Sequence, residues 1–274
     1  MPVLLMAVWM GLTQGCTSQG KSFIPAMPGY DAAGKQILVL KKELIEISGI
    51  FYQEDGNIAA INDEEGKIFI VNSSTGAFTH FRFGKKRDYE DVVKAGNYYY
   101  VLESNGNLHR VPVEQTDTEE ELEFSPEKYI EFESLYYDVP GNRLILLSKD
   151  QRKKREQDKI VAYSFDLSTS TFSADPVFTI LLDDVQIKMK NNVAEFKPSA
   201  AAIHPITKKL FVIASVGKAL LQCSLNGKAE KVYFLNPDQF PQPEGITFAP
   251  NGDMFISNEG VNGKADIIKF PYRK

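Results

Sequence analysis

A fivefold internal repeat is the strongest constraint on this chain. Five related segments begin at Ser48, Tyr89, Phe132, Pro198 and Pro243, separated by 41, 43, 66 and 45 residues. Each opens on a short apolar run, makes a tight turn, and continues into a strongly apolar run. These second runs are IAAIN, YYYVLE, LILLS, LFVIAS and MFISNE; after another turn the third runs are IFIVN, LHRV, IVAYSF, ALLQCSL and IIKF. No stretch keeps a helical period. A period near 42 with three or four short strands cannot bury its apolar faces alone, so the units must stack around a centre as propeller blades.

The turns support the strand reading. Asp55-Gly56-Asn57, Ala95-Gly96-Asn97, Pro140-Gly141-Asn142, Pro205-Ile206-Thr207 and Pro250-Asn251-Gly252 follow the first strand of each unit. Gly and Asn accept the positive φ that a tight hairpin needs. Gln36-Ile37-Leu38-Val39-Leu40 precedes the first unit and is strand-like. It is expected to complete the last blade beside 266–270, which would remove an open seam. The long third interval carries LLDDVQIKMKNNVAEFK, read as an insertion between blades. The expected fold is therefore all-β, a five-bladed β-propeller over residues 37–274, with a sixth degenerate blade in that insertion as the alternative.

Upstream, PVLLMAVWMGL is too short to span a bilayer and fits the core of a signal peptide. Thr13-Gln14-Gly15-Cys16 follows and resembles a bacterial lipobox, with a small residue before the cysteine to be lipidated. Residues 1–15 are thus expected to be a lipoprotein signal peptide, Cys16 the lipidation site, and 16–36 a polar Gly/Pro-punctuated tether. The expected location is the bacterial cell envelope, anchored to the membrane by lipid.

Charge and residue spacing exclude several classes. A net charge of −5 gives no excess of cations for phosphate neutralisation, so no nucleic-acid partner is expected. Cys16 and Cys223 make no C-x-x-C pair, and Cys223 lies in an apolar strand as a buried residue. His80, His109 and His204 occupy non-equivalent repeat positions and match no nucleophile or zinc motif. The charged runs at 84–87, 114–123 and 150–156 read as solvated loops.

The repeat register makes a geometric prediction. The start of a blade's first strand and the end of its antiparallel second strand lie on one face of the disc. Starts carry Gly49, Glu90 with Asp91, Glu133, Ser199 and Glu244; ends carry Asp63, Glu103, Lys149, Ser215 and Glu259. First strands line the central channel, so Glu90, Glu133 and Glu244 should converge on one mouth, with Asp63, Glu103 and Glu259 around them. Carboxylates so gathered repel one another unless a cation sits among them, and calcium takes six to eight oxygens. The bland alternatives are solvated strand ends, pairing with Lys149, or packing acids that accept backbone N–H bonds.

Ser48-Gly49-Ile50, Asp88-x-Glu90, Phe132-Glu133-Ser134-Leu135, Pro243-Glu244-Gly245-Ile246 and Asn258-Glu259 resemble the SdiA-regulated propeller family, itself distantly similar to NHL-repeat propellers. The resemblance spans roughly residues 37 to 272 and implies five blades, export or membrane anchoring, and a calcium site. Asp91 stands where that family's Asp-x-Glu-Gly step has glycine, and Ser134 also departs from it. The expected function is a monomeric, calcium-dependent binding module for an unknown protein or small ligand. The alternative is a metal-assisted lactonase or ester hydrolase of the gluconolactonase-like propeller type.

Overall fold

The computed structural model describes residues 27–273 apart from 31, 115–118, 127–129, 152–157, 190–194 and 262. The expected leader, Cys16, the first part of the tether and most of the basic run at 150–156 lie outside the described residues.

The strands in chain order are β1 (Gln36–Val39), β2 (Ile47–Tyr52), β3 (Asn57–Asn62), β4 (Lys67–Asn72), β5 (Phe78–Arg82), β6 (Tyr89–Ala95), β7 (Tyr98–Glu103), β8 (Leu108–Pro112) and β9 (Glu120–Leu122). They continue as β10 (Ile130–Asp138), β11 (Arg143–Gln151), β12 (Lys159–Asp166), β13 (Thr171–Phe172), β14 (Phe178–Leu181), helix α1 (Leu182–Lys188), β15 (Lys197–Ile203), β16 (Leu210–Val216), β17 (Ala219–Cys223), β18 (Ala229–Phe234), β19 (Pro243–Phe248), β20 (Met254–Val261) and β21 (Lys264–Phe270). They form five antiparallel sheets: β2-β3-β4-β5, β6-β7-β8-β9, β10-β11-β12 with β13 and β14, β15-β16-β17-β18, and β19-β20-β21-β1. The innermost strands β2, β6, β10, β15 and β19 meet one another in a closed ring. The chain is a five-bladed β-propeller.

The seam closes as the sequence implied. β1 runs antiparallel to β21, pairing Ile37 with Ile268 and Leu38 with Ile267. Among the described residues, the stretch after β12 adds no sixth blade. β14 pairs with β12 beside β13 at the outer edge of the third blade, and α1 follows it, burying Val185. Within the expected tether, Met27 and Tyr30 pack on the propeller. Met27 is buried, Tyr30 bridges Tyr272, and the Tyr30 hydroxyl donates to the Gly252 carbonyl at 2.6 Å. Aromatic packing with Tyr272 and His204 fixes this segment, a contact between chain ends that no local pattern carries.

Packing repeats with the blades. Five apolar clusters among the described residues each fill one blade interface, the seam included, where Leu38 and Leu40 join Ile47, Ile58 and Phe255. Burying a Leu, Ile or Phe contributes roughly 1.5–3 kcal/mol, so each interface is a core of its own and the ring needs all five. In every blade the turn between the two inner strands contains a residue with positive φ: Gly56, Gly96, Asn142, Lys208 and Gly252. Four of these are the Gly and Asn read from the turns. Lys208 adopts the conformation without being Gly or Asn, its N–H bonded to the His204 carbonyl at 3.0 Å.

Candidate functional site: an acidic channel mouth

The inner strands share one irregularity. Each carries a register shift against its neighbour near its start: within Ser48–Gly49 on β2, at Glu90 on β6, Glu133 on β10, Ser199 on β15 and Glu244 on β19. A β-bulge re-aims a side chain and ends regular pairing. Five repeat-equivalent bulges therefore place three glutamates and two serines at one end of the inner strands, and Ser48, Glu90, Glu133 and Glu244 line the channel mouth there. The first-blade member is Ser48, one residue before the expected Gly49. Gly49 lies against Asp91, where a Cβ would run into the Asp91 backbone and carboxylate.

A cavity of ≈ 260 Å³ opens at this mouth, lined by Glu90, Glu133, Glu244, Asp63 and Glu259, with Ser48 and Lys149 among them. Four more polar side chains join: Glu46, Asp88, Glu131 and Gln242. The repeat grammar missed these because Glu46, Asp88 and Gln242 sit in the links just before inner strands, outside the aligned positions.

Burial sets the electrostatics. It raises the Glu90 carboxyl to about 8, helped by Asp88 and opposed by Lys149. Glu259 is raised to about 8 by burial, by a carboxyl–carboxyl hydrogen bond to Glu46, and by the nearby Glu244 charge. Asp63 is raised to about 6 by burial, Glu46 and Glu64. Glu244 is also raised by burial, opposed by a hydrogen bond from Ser215 and by Lys149. Loss of hydration and mutual repulsion both penalise ionised forms, which leaves this mouth short of positive charge.

Two expected members separate from the rest. Glu133 forms an ion pair with Lys149, whose Nζ also stands 3.7 Å from Glu131. Glu103 does not line the cavity: Arg87 Nη1 donates to its Oε2 at 3.0 Å, and the buried His109 Nε2 stands 3.1 Å away. Its place at the end of β7 is as expected, but partners from the preceding link and from β8 draw the side chain into an ion-pair network. Asp91 takes the packing role. It accepts the Leu135 N–H at 2.8 Å across the blade interface and the Val92 N–H at 2.8 Å. Serines make similar links: Ser48 to the Glu90 carbonyl at 2.6 Å, Ser199 to that of Pro243 at 2.7 Å, and Ser257 to that of Ser48 at 3.0 Å. Cys223 is buried, and burial pushes its thiol up to about 12.

Carboxylates dominate the acidic half of the mouth, which suits a hard cation, and the Gln242 amide Nε2 donates to Glu259 among them. The Asp63 Oδ1 is buried without a hydrogen-bond partner. Among the described residues no group of three His, Cys, Asp or Glu is drawn together as a finished metal site. The residues therefore fit such an ion in donor chemistry, while the ligating geometry is not assembled in this structure.

No protein-family model matches the sequence, and no curated protein matches it. Solved structures do share the fold. Glutaminyl cyclase of Myxococcus xanthus superposes with a TM-score of 0.59 at 11% identity, covering 87% of this chain and 96% of that one. Regucalcin of Agrobacterium tumefaciens, described as a calcium-binding protein, gives 0.54 at 12% identity over 84% and 92%. A streptogramin B lyase gives 0.51 at 9% identity over 86% and 98%. Likeness at these identities shows the propeller fold and leaves the function to the site.

Proposed function

We propose that this protein is a monomeric cell-envelope propeller of the SdiA-regulated type, anchored by lipid on Cys16, whose acidic mouth binds calcium and through it a protein or small ligand. The observation that carries the reading is the set Glu90, Glu244, Glu259 and Asp63 around one cavity, each carboxyl raised by burial. Glu90, Glu244, Glu259, Asp63 and Glu46 would hold the ion. Lys149 already neutralises Glu133, so the cation half of the mouth is the side made by blades five, one and two. Bound calcium would supply the missing positive charge and a docking point for an anionic or carbonyl group. The likeness to regucalcin supports a calcium-binding propeller at the level of fold, and the acidic mouth speaks against a nucleic-acid partner.

Calcium is expected to raise the melting temperature. At a hundredfold excess over Kd the gain is about 2.7 kcal/mol, or roughly 5–10 °C for a domain of this size. Glu90→Gln should remove most of that rise while the protein still melts cooperatively. An unshifted melt in saturating calcium would defeat the calcium reading. The anchor has its own test: Cys16→Ser should release the protein from the membrane fraction of a bacterial host, and continued membrane association would remove the lipid assignment.

The raised carboxyls also favour a second reading, metal-assisted hydrolysis of lactones or esters. Asp63, near 6, is placed to accept a proton at neutral pH. A lactone and aryl-ester panel tests it; turnover abolished by chelator and by Asp63→Asn is its signature.

A further inference from the structure

The opposite mouth of the channel has the reverse chemistry. A cavity of ≈ 380 Å³ opens between the far ends of the inner strands, floored by Ile50, Val93, Leu135, Ala201 and Ile246. These five are each no more than 3% exposed, so the floor is rigid blade core. The volume falls in the range of roughly 300–1,000 Å³ typical of small-molecule sites. Val139 and Leu225 stand on the cavity rim 64% and 44% exposed, apolar surface that a ligand would cover.

Two charged side chains line this recess, and only one is neutralised. Asp138 accepts a hydrogen bond from Arg143 Nε at 2.9 Å. Lys208 is exposed and, among the described residues, has no ion-pair partner. Arg143, just outside the lining, offsets Asp138, so Lys208 is the charge left uncompensated on the rim. Thr247 is occupied, its Oγ1 accepting the Tyr52 N–H at 3.0 Å.

From this juxtaposition we infer that the second mouth is a binding site for a small anionic amphiphile. An apolar body would lie in the recess over Leu135, Ala201 and Ile246, with a carboxylate or similar anionic head at Lys208. The inference is independent of the calcium reading, because the two mouths lie at opposite ends of the inner strands.

Isothermal titration of the full chain with monomeric decanoate tests it, with decyltrimethylammonium as the same tail on a cationic head. Decanoate should bind saturably at one site, about tenfold more tightly than the cation. Lys208→Glu changes an exposed turn residue and should invert that preference. Ala201→Trp, which fills the floor, should abolish binding of both; a thermal melt shows whether this variant folds, and Lys208→Glu carries the test if it does not. Absence of saturable decanoate binding would overturn the inference, as would a head-group preference that Lys208→Glu leaves unchanged.

Discussion

The inner strands begin at a mouth lined by Glu90, Glu133 and Glu244 and end at one floored by Val93, Leu135 and Ile246. Backbone, strand order and blade packing are common to both ends. What differs is the bulge: at the start of each inner strand one extra residue is turned out of the ladder and can be polar, whereas at the far end regular pairing keeps apolar side chains in the blade interfaces. A propeller can thus place a charged site and an apolar site on one channel without conflict.

The difference can be tested by perturbing one kind of carboxylate at a time. The largest effect is expected at Asp91, which belongs to packing and not to the cavity. Asp91→Ala leaves the Leu135 and Val92 N–H groups unpaired in a buried interface, at about 1–3 kcal/mol each. Chemical denaturation should show that loss, while the calcium-induced rise in melting temperature persists. A variant that lost the calcium response but kept its stability would move Asp91 into the binding set.

A pH series should give the next largest effect. Glu90 is raised to about 8 from an ordinary 4.5, so the folded chain binds more protons than the unfolded chain across that window. The sign follows: stability is fullest below the ordinary value and falls as pH rises through 8, and Glu259 adds to the same trend. In chelator the melting temperature should drop between about pH 5 and about pH 8.5. Calcium should flatten that drop, and Lys208→Glu at the other mouth should leave it in place. A flat profile in chelator would contradict the uncompensated charge assigned to the acidic end.

A smaller effect is expected from Lys149→Met. It breaks the ion pair that sets Glu133 apart, costing roughly 1–3 kcal/mol because Lys149 is partly solvated. Differential scanning calorimetry should show calcium recovering more stability in this variant than in the parent, as Glu133 becomes available to the ion. Equal recovery in the two proteins would place Glu133 outside reach of the cation.

Much of this organisation was legible in the sequence because a propeller is a repeat and its turns are chemically marked. The spacing located the blades, and Asp-Gly and Pro-Asn-Gly turns located the hairpins. A lone strand before the first repeat foretold the closure of β1 on β21. Alignment also brought Glu90, Glu133, Glu244, Asp63 and Glu259 to one mouth. Features that depend on neighbours in space were not legible. Glu103 occupies the expected position, yet Arg87 and His109 take its side chain. Glu46 and Glu131 enter the mouth from outside the aligned positions, and Asp88 had entered only through the Asp88-x-Glu90 resemblance. The apolar mouth escaped notice because its floor residues look like ordinary strand core until five blades set them around one axis. Met27 and Tyr30 looked like tether because the Tyr272 and His204 that hold them lie far along the chain.

The central claim is that the acidic mouth holds a hard cation. Anomalous diffraction from crystals of the full chain grown in millimolar calcium tests it most directly. The account predicts a peak among Glu90, Glu244, Glu259 and Asp63, on the side of the mouth away from Lys149. A map with no peak there, from crystals in which that mouth is open to solvent, would contradict it.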